Sequence, residues 1–184
     1  MSIFLKPTFL RLDKQFYLVM IASLATTDAL ESFRGKNLKI KWPNDVYAGN
    51  NKIAGILLEA SVSKKNIDRT VIGLGVNINQ QEFGGLKATS VLLETGSTQQ
   101  IDKIMEIILL SLEKWYQKLK NQEYEEITLK YHSLLYWRNE MHVFRIQGEF
   151  IDGQIKGIND RGQLIVEIEG LERIFNNKEL VFIE

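Results

Sequence analysis

Lys41 and Lys52 flank one turn-prone stretch, and the segments they open, Lys41-Trp42-Pro43-Asn44-Asp45 and Lys52-Ile53-Ala54-Gly55-Ile56-Leu57-Leu58-Glu59, carry the chain's densest chemistry. Along the second segment, read as a strand, alternation puts Lys52, Ala54, Ile56 and Leu58 on one side and Ile53, Gly55, Leu57 and Glu59 on the other. A cation among apolar neighbours calls for an anion. It can equally begin an exposed strand and reach water along its own stem, and spacing alone leaves both readings open. In the next strand Ile72, Leu74, Val76 and Ile78 point one way while Gly73, Gly75, Asn77 and Asn79 point the other. Two glycines on one face fit the close approach of a ligand, and they also fit a bulge or a tight sheet crossing. Asn77 sets a donor beside an acceptor, the pair that matches the edge of adenine, although an ordinary turn role suits it too.

What is absent narrows the chemistry. The chain has no cysteine, which excludes disulfides, thiolate metal sites and thioester catalysis. It has only His132 and His142, both read as surface residues, so no Ser/His/Asp or metal cluster is visible. No Walker A loop occurs, so a nucleotide would be held by sheet and hairpin groups. The 184 residues carry 23 basic and 23 acidic side chains, and no bulk field draws the chain to nucleic acid or an anionic membrane. The early apolar run Phe16 to Ala22 is too short to span a bilayer and no leader pattern precedes it, so the chain reads as cytoplasmic.

These residues need elements to hold them. Ser2 to Lys6 reads as a strand stopped by Pro7, and Asp13 as the cap of a helix running from Phe16 to a stop at Gly35. Leu38–Trp42 and Val46–Ala48 form a hairpin around Pro43-Asn44-Asp45, and Gly49-Asn50-Asn51 reverses the chain again. Lys52–Ala60 and Thr70–Asn79 are further strands, joined by the polar stretch Ser61 to Asp68. Thr89–Glu94 reads as a helical turn, Ile101–Lys120 as a helix with Ile104, Ile107, Ile108, Leu112, Trp115 and Leu119 on one face, and Tyr124–Leu135 as another. From Met141 the period becomes two, with strands at Val143–Ile146, Phe150–Ile158, Leu164–Ile168, Arg173–Phe175 and Leu180–Ile183. The composition, 45% hydrophobic and 25% charged, can bury a core.

The hairpin Lys41 to Asp45, the strand Lys52 to Glu59 and the strand Ile72 to Asn79 resemble, in order and spacing, three signature segments of the biotin protein ligases, or holocarboxylase synthetases. The Ala88-Thr89-Ser90 turn and Gly153-Gln154-Ile155-Lys156-Gly157-Ile158 add to a resemblance that covers essentially the whole chain. It implies an α+β fold, with a mixed, largely antiparallel sheet packed with helices in a class II synthetase-like core over residues 1–138. Residues 139–184 would form a small SH3-like β-barrel. It implies that biotin and ATP give biotinyl-5′-AMP and pyrophosphate, with Mg²⁺, and that a lysine of a biotin carboxyl carrier protein then takes the biotinyl group. That carrier would belong to acetyl-CoA carboxylase or another biotin-dependent carboxylase.

By the same resemblance Lys52 meets the biotin carboxylate and α-phosphate, and Lys41 supports the polyphosphate. Asn44 and Asp45 organise the site through Mg²⁺ or the acceptor amine. Gly55 and Leu57 line the biotin pocket, Gly73 and Gly75 make room for the adenylate, and Asn77 reads adenine. Sheet-edge homodimers occur in such a family. Members carry a Gly-Arg-rich loop upstream of the strand that starts here at Ser2, so the chain is expected to be a truncated or mis-started ligase, weak or inactive in adenylation. No DNA-binding helix-turn-helix is present, and no repressor role is expected. Alternatives are a lipoate-type acyl ligase, which shares the fold but not this hairpin together with the β module, and a non-catalytic biotin- or adenylate-binding relative.

Overall fold

The computed structural model describes residues 1–33 and 37–183. Five strands, β1 (Ser2–Leu5), β2 (Leu38–Lys41), β3 (Asp45–Ala48), β4 (Asn51–Ser63) and β5 (Asn66–Val76), form a sheet in the order β1-β5-β4-β3-β2. Every pairing between these strands is antiparallel; parallel contact is limited to isolated bridges such as Ile40 with Leu135 and Lys52 with Ala88. The expected mixed sheet is therefore an antiparallel one. The polar stretch Ser61 to Asp68 is not a linker, because β4 and β5 continue through it and turn at Lys64, whose φ is +57°.

Helix α1 (Phe16–Ser32) packs across one face of this sheet. It is buried on all sides, and Ser23, Thr26 and Thr27 reach the interior at no polar cost because each hydroxyl donates to the carbonyl four residues back at 2.8 Å. Asp13 does not cap it. A 3-10 turn at Leu12–Lys14 precedes Gln15 at the cap position, and the Asp13 carboxylate pairs with Arg11. The stop expected at Gly35 lies outside the described residues. Helix α2 (Val91–Thr95) is capped by Ser90, whose hydroxyl accepts from the Leu93 N–H, and ends at Gly96 in the left-handed region. Helix α3 (Ile101–Lys120) buries Ile104, Ile108, Leu112, Trp115 and Leu119 of the expected face against α1 while Ile107 is only partly buried, and α4 (Tyr124–Leu134) packs beside both.

A second antiparallel sheet, β10-β6-β7-β8-β9, is built from β6 (Met141–Ile146), β7 (Glu149–Ile158), β8 (Leu164–Ile168), β9 (Leu171–Phe175) and β10 (Leu180–Phe182). Among the described residues no pairing joins β9 to β10, so this is an open sheet where a closed barrel was expected. One apolar cluster runs from α1 through both sheets.

The junction is made by the β7–β8 turn and by His132. Gly162, with φ +78°, lies against the Phe16 ring, and its carbonyl accepts from the Trp42 indole N–H at 2.8 Å. Lys14 pairs with Asp160 at 2.7 Å beside it. His132 on α4 presses its ring on Gly157, and its Nε2 accepts from the Ile158 N–H at 3.0 Å. The ring of His142 stacks on Trp137 at 3.8 Å, so neither histidine is a plain surface residue. Burial, helped by the nearby Arg138 charge, pushes the His132 imidazole below its usual 6.5.

That shift has a sign in stability. The unfolded chain takes up the proton first, so the contribution is complete above pH 6.5 and is lost as pH falls below it toward the lowered folded value. Wild type should lose more melting temperature between about pH 7.5 and 5.5 than His132→Gln, whose amide oxygen can accept the same bond without titrating. Equal slopes would remove His132 as the cause.

Candidate active site

The face of the first sheet opposite α1 carries the candidate residues, and a β-bulge puts them together. β3 and β4 pair Val46 with Ala54 but Tyr47 with Lys52, which leaves Ile53 as the extra residue. Ile53 and Ala54 are consequently both buried, and the alternation changes phase between them. Lys52 therefore lies on the same face as Gly55, contrary to the sides that unbroken alternation assigns. An added Cβ on Gly55 would sit 3.1 Å from Lys52 Nζ and 3.2 Å from Asp45 Oδ1.

The Lys52 backbone is held from outside the hairpin. Its N–H donates to the Lys87 carbonyl at 3.0 Å and its carbonyl accepts from the Thr89 N–H at 2.9 Å. The Asn77 amide nitrogen bridges the Thr89 carbonyl at 3.0 Å and the Lys52 carbonyl at 3.4 Å. Asn77 thus leaves β5 to stitch the Lys87–Thr89 segment to the bulge, and no described hydrogen bond occupies its Oδ1. Asn44 is fixed from both ends against Ile56: its Nδ2 donates to the Ile56 carbonyl at 2.7 Å, and its carbonyl accepts from the Ile56 N–H at 2.8 Å.

At the centre, Lys52 Nζ meets Asp45 Oδ1 at 2.6 Å. Register places Gly55 opposite Asp45 and Gly75, and Leu57 opposite Gly73. An open cavity of about 420 Å³ is lined by Asn44, Asp45, Lys52, Gly55, Leu57, Gly73 and Gly75. Leu57 is 62% exposed, an apolar wall that faces solvent. The cavity's floor is bare backbone, its wall apolar and its far side charged, which suits an acid with an apolar body. Lys41 is the cross-strand partner of Asp45, and its Nζ donates to the Tyr47 hydroxyl at 3.2 Å. The structure thus brings together eight of the nine candidates on one face, with Asn77 behind the bulge as a brace. The sequence alone gives no sign of Tyr47 or of the aromatic surroundings of Lys41, and it marks Thr89 only through the Ala88-Thr89-Ser90 turn. Among the described residues no group of three His, Cys, Asp or Glu side chains could hold a metal.

Gly75 separates a floor from a mere strand. Its nearest neighbour to an added Cβ is a backbone oxygen 3.8 Å away, ordinary contact, so Gly75→Ala should fold with unchanged or slightly raised melting temperature. The methyl would stand in the cavity, and biotin or ATP binding measured by calorimetry should weaken at least about tenfold. Unaltered affinity would show that no ligand lies over Gly75.

Known proteins resemble this chain in sequence and in fold. Residues 1–77, which contain all nine candidates, match the Biotin/lipoate A/B protein ligase family. The bifunctional ligase/repressor BirA of Bacillus subtilis is 32% identical over 183 residues, covering 96% of this chain and 56% of BirA. The biotin--[acetyl-CoA-carboxylase] ligase of Paracoccus denitrificans is 29% identical, covering 90% of this chain and 72% of that protein. The chain thus spans little more than half the length of the BirA relatives. A biotin protein ligase from Aquifex aeolicus in complex with biotin and ATP superposes with a TM-score of 0.81 at 25% identity, over all of this chain and 77% of that one. Its apo structure gives 0.82 at 24% identity over 80% of that chain. Residues 1–77 are thus similar in sequence to the biotin/lipoate A/B protein ligase family, and the whole chain is similar in fold to a biotin protein ligase.

Proposed function

We propose that the chain carries the catalytic core of a biotin protein ligase, with residues 1–138 as the core and 139–184 as an SH3-like module. The observation that carries this is the Lys52–Asp45 pair beside a glycine floor and an apolar wall. In the first step a biotin carboxylate oxygen attacks the α-phosphorus of ATP and pyrophosphate leaves; in the second, the amine of a carrier lysine attacks the biotinyl carbonyl and AMP leaves. Neither step needs an enzyme nucleophile, so positioning and charge are what the protein must supply.

Lys52 would exchange its Asp45 partner for the biotin carboxylate and stabilise charge on the α-phosphate. Gly55 and Leu57 would hold the ureido ring system and chain, while Gly73 and Gly75 leave room for the adenylate. Lys41 would steady the polyphosphate. Asn77 Oδ1 would accept from the adenine amino group, its amide nitrogen being already committed. Asp45, once released, would meet Mg²⁺ arriving with the triphosphate, or the acceptor amine; a single carboxylate is enough where phosphates complete the shell.

The carrier would be a biotin carboxyl carrier protein of a biotin-dependent carboxylase. A second copy would extend the sheet at β1, which among the described residues has a strand partner on one side only. No described helix is long and apolar enough to cross a membrane, and the compartment proposed is the cytoplasm. Titration calorimetry with biotin, with and without Mg·ATP, tests the reading: biotin should bind, and more tightly when ATP is present. If neither ligand binds, the reading fails.

A further inference from the structure

The covered end of the active face holds a feature that the reaction scheme does not use. Lys41 Nζ lies 5.0 Å from the centroid of the Phe182 ring on β10, and 4.9 Å from that of Tyr47 on β3. The Tyr47 contact runs through its hydroxyl, to which the ammonium donates at 3.2 Å; Phe182 offers only a ring. That ring is itself fixed. Phe144 meets it edge-on at 5.5 Å, Trp137 lies tilted against it at 5.5 Å, and Tyr136 stacks on Trp137 at 4.9 Å and packs on Tyr47 at 5.3 Å. The aromatic chain closes a loop from the second sheet to the first and back to Lys41.

The position of Lys41 on the face is set by register. It is the cross-strand partner of Asp45, whose carboxylate pairs with Lys52. One row therefore runs from the glycine floor through Lys52 and Asp45 to Lys41, and ends at Phe182. An unbranched lysine has four side-chain torsions, and a cation that must meet a phosphate gains from having them restricted before the ligand arrives. The ring's negative face attracts the ammonium and helps restrict where it can lie.

We propose that Phe182 is a positioning residue for Lys41: the second sheet, through this ring, presents the Lys41 ammonium to the phosphates of a nucleoside triphosphate lying across the Gly55–Gly75 floor. The inference rests on the nucleotide reading of the cleft, which the test treats separately. Phe182→Leu keeps an apolar side chain and removes the ring, and Phe182→Trp restores a ring. In the full chain, the εCH₂ resonances of Lys41 should be ring-current shifted, should move toward the ordinary lysine position in Phe182→Leu, and should recover in Phe182→Trp.

Calorimetry with Mg·ATP should show roughly a threefold to tenfold weaker affinity for Phe182→Leu, with biotin affinity unchanged and recovery in Phe182→Trp. In a Lys41→Ala background Phe182→Leu should add nothing, since the ring acts through the cation. A Phe182→Leu protein that loses the shift but keeps its ATP affinity overturns the inference and leaves the nucleotide reading intact. An equal loss with Lys41 absent, or an equal loss for biotin, overturns it as well, because the ring would then serve the fold. If wild type binds no ATP the nucleotide reading falls and this inference falls with it, whereas a normal Lys41 shift in wild type removes the ring contact alone.

Discussion

Lys52→Ala is expected to reduce biotin-dependent exchange of labelled pyrophosphate into ATP by about 10²–10³-fold, the range seen when one preorganised charge-stabilising donor is removed. Its effect on stability should be small. The Lys52 and Asp45 side chains are 43% and 25% exposed, and a solvent-screened pair of this kind contributes about 0–1 kcal/mol. The melting temperature and the biotin titration therefore separate the two roles: melting should move by a degree or two, while biotin affinity falls at least about tenfold as its carboxylate loses the cation. Lys52→Arg should recover part of the affinity, although its planar fork cannot take the place of the ammonium above Gly55 in the same way. Biotin affinity in Lys52→Ala equal to wild type would end the assignment of Lys52.

Gly162→Ala should be the most damaging small substitution for the fold. Its backbone is left-handed, at φ +78°, which costs a non-glycine residue about 1–2 kcal/mol. The added methyl would also fall on the Phe16 ring at the start of α1, and forcing such a ring aside costs about 1–3 kcal/mol more. The combined loss is on the order of 2–5 kcal/mol, roughly 5–15 °C of melting temperature for a chain of this size. Phe16→Ala in the same protein would relieve the clash but not the backbone strain, so the double variant should lose less than the sum of the two single losses. Because the Gly162 carbonyl accepts from Trp42, between Lys41 and Pro43, the variant should also disturb ATP binding before it unfolds. A Gly162→Ala protein with wild-type melting would show that the turn does not anchor the second sheet.

Much of this architecture was legible in the residues. α3 follows directly from its apolar spacing, and its ends match the expected Ile101 and Lys120. The Gly73–Gly75 face was visible from alternation, and the antiparallel hairpins from Pro43-Asn44-Asp45 and Gly49-Asn50-Asn51. The side of Lys52 was not legible, because a bulge is a two-against-one count between strands and leaves no mark in either strand alone. The turn at Lys64 was hidden by its composition, since neighbouring lysines and an asparagine look like a linker when no partner strand is in view. His132 and Phe182 acquire their meaning only from residues far along the chain, Gly157 and Lys41. Asp13 was misread as a cap because its carboxylate has a closer competitor in Arg11, two residues away.

The extra residue at Ile53 makes the motif a matter of arithmetic before it is a matter of chemistry. Three peptide units, not two, separate the ammonium from the glycine it overhangs, so losing or gaining one residue there would swing the cation to the helix-covered side and drive an oily neighbour into water. Exchanges that conserve the count can be absorbed one at a time, whereas a length change must be matched at once by the Lys87–Thr89 segment that clasps the same backbone. Tolerance in this stretch should therefore follow spacing more strictly than residue type, everywhere except at the lysine itself.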